Sequence, residues 1–183
     1  FSIDKKIENF TVGKDRIIDL HIAKYDIQAS IAHAIMLNSI GIVNNYELTA
    51  LTNELNKLYQ DAEKGELIIE ESFEDIHSKI EHELTKNLGE TGKKIHTARS
   101  RNDQVLVALQ LYYKNSLNII NQKVKSLFDT LIVLAETHKS KLLPGYTHLQ
   151  VAMPSSFGLW FSAYAELLID DVYLLNSVKN IVD

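Results

Sequence analysis

The chain has 183 residues, 45% of them hydrophobic, enough to fill the core of one domain or of one domain plus part of another. A formal charge of −5 and a pI of about 5.8 speak against general nucleic-acid binding, which draws on a basic surface. There is no cysteine, so neither a disulfide framework nor a thiolate ligand or nucleophile can form. No apolar run is long enough to span a bilayer, and Phe1-Ser2-Ile3-Asp4 does not read as a signal peptide, so a cytoplasmic protein without membrane or nucleic-acid partners is expected. The chain opens without methionine and closes on Ile181-Val182-Asp183 inside a helical pattern, which suggests a piece of a longer protein.

Two prolines and seven glycines are so few breakers that an all-α protein with long helices is predicted. In chain order, Leu20, Ile27, Ile31 and Ile35 fall at helical spacing, as do Leu48, Leu51, Leu55 and Leu58, a run that ends before Gly65. Ser72 followed by Asp75 resembles a capping box, opening a helix through Ile76, Ile80 and Leu84 that stops at Gly89. From Arg101 to His138 there is neither Gly nor Pro, and Val105, Leu109, Tyr112, Ile120, Val124, Leu127, Leu131 and Leu134 draw one apolar stripe. A helix beyond ~25 residues without internal caps belongs more naturally to a bundle than to a compact domain. Pro144 and Pro154 bracket an extended or turned crossing, with Pro144-Gly145 as its turn pair. A last helix runs from about Ser155 to the end through Trp160, Phe161, Tyr164, Leu168, Val172, Leu175 and Val178. Its apolar face is broad enough to predict burial on more than one side.

Two polar stretches interrupt these patterns. Lys93, Lys94, His96, Arg99 and Arg101 cluster in an otherwise acidic chain and end where the long helix begins. A solvated basic loop would explain the cluster. A helix N-terminus also offers free N–H groups and partial positive charge to an anion; there Asn102 can donate or accept, and Arg101 can clamp a carboxylate with two parallel bonds. Ser100 or Asp103 could equally well cap the helix. The second stretch, Gly145-Tyr146-Thr147-His148-Leu149-Gln150, presents an imidazole and a hydroxyl donor in a loop, and spacing alone does not decide between catalysis and solvation. Glu74-Asp75-Ile76-His77 places a carboxylate and an imidazole in a first helical turn, where capping is the ordinary role. His77 and Glu81 could hold one edge of a metal, but no third ligand presents itself, so no metal is expected. Gly89-Glu90-Thr91-Gly92-Lys93-Lys94 fails as a phosphate loop: its glycines are too close together, and neither a Ser or Thr after the lysines nor a preceding strand is found.

Taken together, His96-Thr97 with Arg99-Ser100-Arg101-Asn102-Asp103-Gln104, Gly145-Tyr146-Thr147-His148-Leu149-Gln150 with Ala152 and Pro154, and Glu74-Asp75-Ile76-His77 closely resemble three blocks of the argininosuccinate lyase family, in the same order and at fitting separations. That family belongs to a superfamily with fumarase, aspartase, adenylosuccinate lyase and the lens protein δ-crystallin. The resemblance implies a fumarase/aspartase-like fold: a small helical N-terminal domain over 1–98, then the first part of a central long-helix bundle over 99–183. It implies a homotetramer with active sites shared between subunits, and reversible elimination of fumarate from argininosuccinate to leave arginine, without a cofactor. Carried over by position, Arg101 and Asn102 would hold substrate carboxylates, Thr147 would do so from another subunit, and His148 would stand close to the reacting succinyl group. Asp75 and His77 would lie in the same pocket, with Ser100 and Gln150 among the substrate contacts. The family's general base is a serine on a glycine- and serine-rich loop that ends in a Met-Pro-x-Lys-x-Asn pattern, which these 183 residues do not contain.

Three positions depart from the family pattern. Asp15 stands where a substrate-binding serine is common, four residues ahead of Asp19; Val151-Ala152-Met153-Pro154 replaces a frequent Arg-Ala-Gln-Pro; and Ala98 replaces a frequent glycine. An added carboxylate and a lost cation bear on which succinyl adduct is held, so a lyase for another adduct such as adenylosuccinate, or a non-catalytic δ-crystallin-like structural protein, stands as the alternative. Without the serine loop, the 183-residue chain by itself is expected to release no fumarate from argininosuccinate, which ultraviolet absorbance would show directly.

Overall fold

In the computed structural model, residues 4–182 are described. They fall into two compact units, Phe1–Tyr112 and Tyr113–Asp183, divided within the long helix. The first unit begins with α1 (Lys5–Val12), α2 (Asp15–Ile18) and a 3-10 turn over Asp19–His21, followed by α3 (Ala23–Ser39), α4 (Asn45–Lys64), α5 (Ile76–Leu88) and α6 (Glu90–Lys93). A second 3-10 turn, Lys94–His96, leads into α7 (Arg101–His138), the uninterrupted 38-residue helix that the lack of Gly and Pro predicts.

Local chemistry sets these boundaries. Asn44 and Glu47 form a reciprocal capping box at the start of α4, and Gly65 closes that helix in the left-handed conformation, at φ 72°. The cap of α5 differs from the expectation. Asp75, not Ser72, is the N-cap, its Oδ1 accepting from the Ser78 N–H at 2.6 Å, because only the residue immediately before Ile76 can reach that amide. A second carboxylate, Asp19 from the 3-10 turn, accepts from the Ile76 N–H at 3.2 Å. Gly89 ends α5 as predicted, and the rejected phosphate loop folds as the single turn of α6.

Side chains of α3, α4 and α5 form the core, with Ile27, Leu37, Leu51, Leu55, Ile76, Ile80 and Leu84 fully buried and Val43 and Ile95 closing its ends. On α3 the buried line is Ala23, Ile27, Ser30, Ala34 and Leu37, whereas Leu20 and Ile35 are exposed. Small residues let the neighbouring helices come close, so the packed face is not the one richest in large aliphatic groups. Leu109 and Tyr112 of α7 pack against this core, and the Tyr112 ring meets Tyr25 edge-on at 5.8 Å.

In the second unit the rest of α7 is followed by an antiparallel hairpin, β1 (Leu142–Thr147) and β2 (Gln150–Ser156), and by α8 (Phe157–Val182). The crossing between the prolines is thus extended, but Pro144-Gly145 is not its turn. Those residues lie inside β1, where the register slips between Pro144 and Tyr146, and a Cβ on Gly145 would come within 2.8 Å of the Met153 carbonyl oxygen. The turn itself is His148-Leu149, flanked by the pair Thr147 and Gln150. Ser156 Oγ accepts from the Leu159 N–H and caps α8, and Gly158 allows the chain at Lys139 to pass so close that a Cβ would stand 2.6 Å from the Lys139 Cα. Val124 and Phe128 of α7 line an apolar groove with Leu168 and Val172 of α8. Only Gly158 and Ala165 of α8 are buried, and Trp160, Tyr164, Leu167 and Leu174 are exposed, so this helix does not reach the two-sided burial its composition predicts. The core should respond in the ordinary way to a cavity: Leu55→Ala is expected to cost about 2–5 kcal/mol of unfolding free energy, read from urea denaturation.

Candidate active site

Ala98, at φ 60°, bends the chain into α7. Ser100 Oγ accepts from the Asn102 N–H at 3.1 Å, while Asp103 Oδ2 accepts from the Ser100 N–H at 2.8 Å. Both residues therefore take the capping role that the sequence left open, and Ser100 gives its hydroxyl to the helix. The Asn102 side chain is left exposed at the positive end of a long helix, with no hydrogen bond to the described residues.

Arg101 turns the other way, toward α5. Its Nη1 donates to Glu81 Oε1 at 3.2 Å and to Gln104 Oε1 at 3.0 Å, its Nη2 donates to Ser78 Oγ at 3.3 Å, and its Nε lies 3.5 Å from Asp75 Oδ2. The guanidinium is half-buried and held from three sides, so an incoming carboxylate would compete with Asp75 and Glu81 for its donors. Arg101, Asp75 and the α7 cap form one polar junction between the N-terminal ends of α5 and α7.

Below this junction lies a buried polar cluster. His77, 2% exposed, brings Nδ1 to 2.9 Å from Oδ2 of Asp26, which is 0% exposed, although the approach lacks hydrogen-bond alignment. Gln104 Nε2 donates to the same oxygen at 3.1 Å, and Arg99 Nη2 donates to Ser30 Oγ at 3.2 Å. Burial pushes the Arg99 guanidinium below its usual range, and the charges of Asp26 and Glu81 pull it back. Burial raises the Asp19 carboxyl above the ordinary value, against the Ile76 N–H and His77, which act in the opposite direction. His77 is thus packed inward against Asp26, while Glu81 faces His96 and Arg101; among the described residues no group of three or more His, Asp or Glu could hold a metal.

Sequence reading missed Asp26 and Ser30 altogether, and it weighed Glu81 only as a metal ligand, not as the partner of Arg101 and His96. A signal was present: Asp26 and Ser30 share the i, i+4 face of α3 with Ala23, Ala34 and Leu37, an unusual place for a carboxylate. In the second unit Thr147, His148 and Gln150 are exposed at the hairpin tip. His148 and Leu149 have φ of 49° and 63°. A two-residue turn of this hand normally uses Asn-Gly, and each side-chain-bearing residue there costs about 1–2 kcal/mol. Of the departing positions, Asp15 is exposed in the first turn of α2, and Val151 and Met153 are exposed on β2.

Polar groups gather at two helix N-termini of the first unit, and an imidazole stands exposed at the hairpin tip of the second. A family model described as lyase matches residues 3–182, and the chain belongs to that lyase family. It is 53% identical over 179 residues to an argininosuccinate lyase of Parabacteroides distasonis, covering 98% of this chain and 40% of that protein. It is 45% identical over 183 residues to an argininosuccinate lyase of Thermotoga neapolitana, covering 100% of this chain and 46% of the relative. The chain therefore spans less than half the length of these relatives. Its fold is similar to that of a fumarate lyase:delta crystallin from Brucella melitensis (TM-score 0.80, 17% identity, 100% of this chain and 47% of the other). The fold of an EDDS lyase crystallised with formate is similar as well (TM-score 0.75, 21% identity, 99% and 35% covered).

One titration is worked into the segment that leads to α7. His33 Nε2 bonds the Thr97 carbonyl oxygen at 2.9 Å; burial lowers the pKa of this imidazole below 6.5, the Thr97 bond opposes that, and the charges of Arg99 and His96 lower it further. The folded protein thus favours neutral His33, a contribution that is whole above the unfolded pKa and is lost as pH falls toward the folded one. Between about pH 7.5 and 5.5, the melting midpoint of His33→Gln is expected to fall less than that of the unchanged protein.

Proposed function

We propose that the complete protein is an argininosuccinate lyase that reversibly eliminates fumarate from argininosuccinate to leave arginine. The observation that carries this reading is the 53% identity to argininosuccinate lyases across 98% of the chain, which takes in all three polar blocks. Removing a proton from carbon beside a carboxylate builds a dianionic, enediolate-like species, so fixed donors must wait where that charge grows. The exposed Asn102 amide at the α7 N-terminus supplies such a donor, and Arg101 supplies a second once substrate displaces its acidic neighbours. Thr147 holds the other carboxylate from a different subunit, with Gln150 beside it. Ser100 acts by presenting Asn102 correctly. Asp75 and His77 support the floor of the pocket.

His148 either gives a proton to the departing guanidino nitrogen or stabilises the growing carboxylate charge. The base that takes the proton from carbon is a serine supplied by a part of the protein outside these 183 residues. The protein works as a homotetramer in the cytoplasm. Its N-terminal domain runs over residues 1–98, and residues 99–183 begin the bundle in which the Asn102 edge of one subunit meets the Thr147–His148 tip of another. The exposed apolar surface of α8 supports such an assembly, because lone helices with that much uncovered hydrophobic area are rare in monomers. No helix among the described residues is long and apolar enough to cross a membrane.

The full-length protein is expected to release fumarate from argininosuccinate, and Thr147→Ala or His148→Ala should lower kcat/KM by ~10²-fold or more. Turnover of adenylosuccinate instead would move the reading to another succinyl adduct. An inert full-length protein would make it a structural relative of δ-crystallin.

A further inference from the structure

We infer that Asp26 is a positioning residue for the elimination, its buried carboxyl group lying against the His77 imidazole and fixing the Arg101 guanidinium through Gln104. The inference rests on the lyase reading, and it adds a residue that lies outside all three polar blocks.

Asp26 Oδ2 accepts from the Gln104 amide N–H of α7 at 3.1 Å and lies 2.9 Å from His77 Nδ1 of α5, the latter without hydrogen-bond alignment. An amide can face either way, and a carboxyl oxygen acting as acceptor admits only the orientation with the NH2 group toward it. That orientation leaves Gln104 Oε1 free to accept from Arg101 Nη1, which it does at 3.0 Å. Asp26 thereby selects the amide orientation in which Arg101 gains an acceptor. In the opposite orientation the amide would present N–H groups to the guanidinium, and Arg101 would be pushed away from α5.

A purely stabilising role fits less well. Both Asp26 and Gln104 are buried, at 0% and 2% exposure, and Asp26 Oδ1, His77 Nδ1 and Arg99 Nε have no hydrogen-bond partner. A cluster that served stability alone would satisfy both carboxyl oxygens or be replaced by apolar packing of equal volume, which is often no less stable. What the arrangement gives is direction: two side chains on different helices referenced to one fixed point.

The test uses the full-length enzyme with argininosuccinate, comparing Asp26→Asn, Gln104→Met, His77→Gln and the Asp26→Asn pairings with each. Asp26→Asn is expected to lower kcat/KM about 10- to 100-fold while the melting midpoint moves by only a few degrees. Gln104→Met frees Arg101 and also removes the aligned donor to Asp26, so a higher KM is expected together with a lower melting midpoint. Because these changes break one chain of contacts, the losses in each double variant should multiply to much less than the product of the singles. Turnover of Asp26→Asn within about twofold of the parent, or fully multiplicative losses in both pairings, would overturn the inference. If Asp26→Asn does not fold, Gln104→Met decides alone: near-parental KM refutes the relay, and a raised KM with kcat near the parental value supports it. If the unmodified enzyme shows no turnover, the lyase reading has failed, and the inference, which rests on it, falls with it.

Discussion

A carboxyl group with no exposed surface can stay in a protein interior only where other groups supply what water would have given it. At Asp26 those groups come from three directions: His77 from α5, Gln104 from α7, and the positive charge of Arg99 from the segment between α6 and α7. The helices that carry them must then keep a common register, because a shift of one turn in either would leave the carboxyl group alone in an apolar core. Aliphatic packing of Ile27, Leu51, Leu55 and Ile80 would tolerate small slides with modest loss, whereas the polar contact would not. The first unit therefore owes its bulk stability to ordinary hydrophobic burial and its alignment to one polar point.

That alignment carries outward to the helix ends. Alpha-helical N-termini expose unpaired N–H groups, and here most of the capping is done by nearby side chains: Asp75 and Asp19 at α5, Ser100 and Asp103 at α7. The two starts lie next to one another through Arg101, whose contacts with Ser78, Glu81 and Asp75 join the second helix to the first. The Asn102 backbone N–H is taken by Ser100 Oγ, while its side chain faces solvent without a hydrogen bond among the described residues.

Helix positions were highly legible in the sequence because they follow from local rules. The breaker-free run from Arg101 to His138, the Gly65 and Gly89 stops and the extended crossing between the prolines all rest on backbone chemistry that acts over a few residues. Which face of a helix is buried was less legible. Leu20, in the 3-10 turn before α3, and Ile35 were expected on one stripe with Ile27 and Ile31; packing kept Ile27 inward but turned Ala23, Ser30 and Ala34 in as well, since closeness of neighbouring helices is a property of the pair. Side-chain roles at the site divided in the same way. Ser100, Asp75 and Asn102 could be placed at helix starts from sequence alone, but the inward turn of His77 and the hold of Glu81 on Arg101 depend on partners 51 and 20 residues away, which no window along the chain contains. The pair Pro144-Gly145 misled for a related reason: a glycine serves a bulge as readily as a turn, and only the opposite strand decides.

The hairpin tip carries one consequence beyond its own geometry. Left-handed backbone at both His148 and Leu149 means that the loop sequence best suited to folding, a short flexible pair without bulky groups, is the one that would remove the imidazole. Ease of bending and the presence of a ring at that spot therefore pull in opposite directions: a chain with glycine there would gain local ease while losing the side chain whose direction the tight bend dictates.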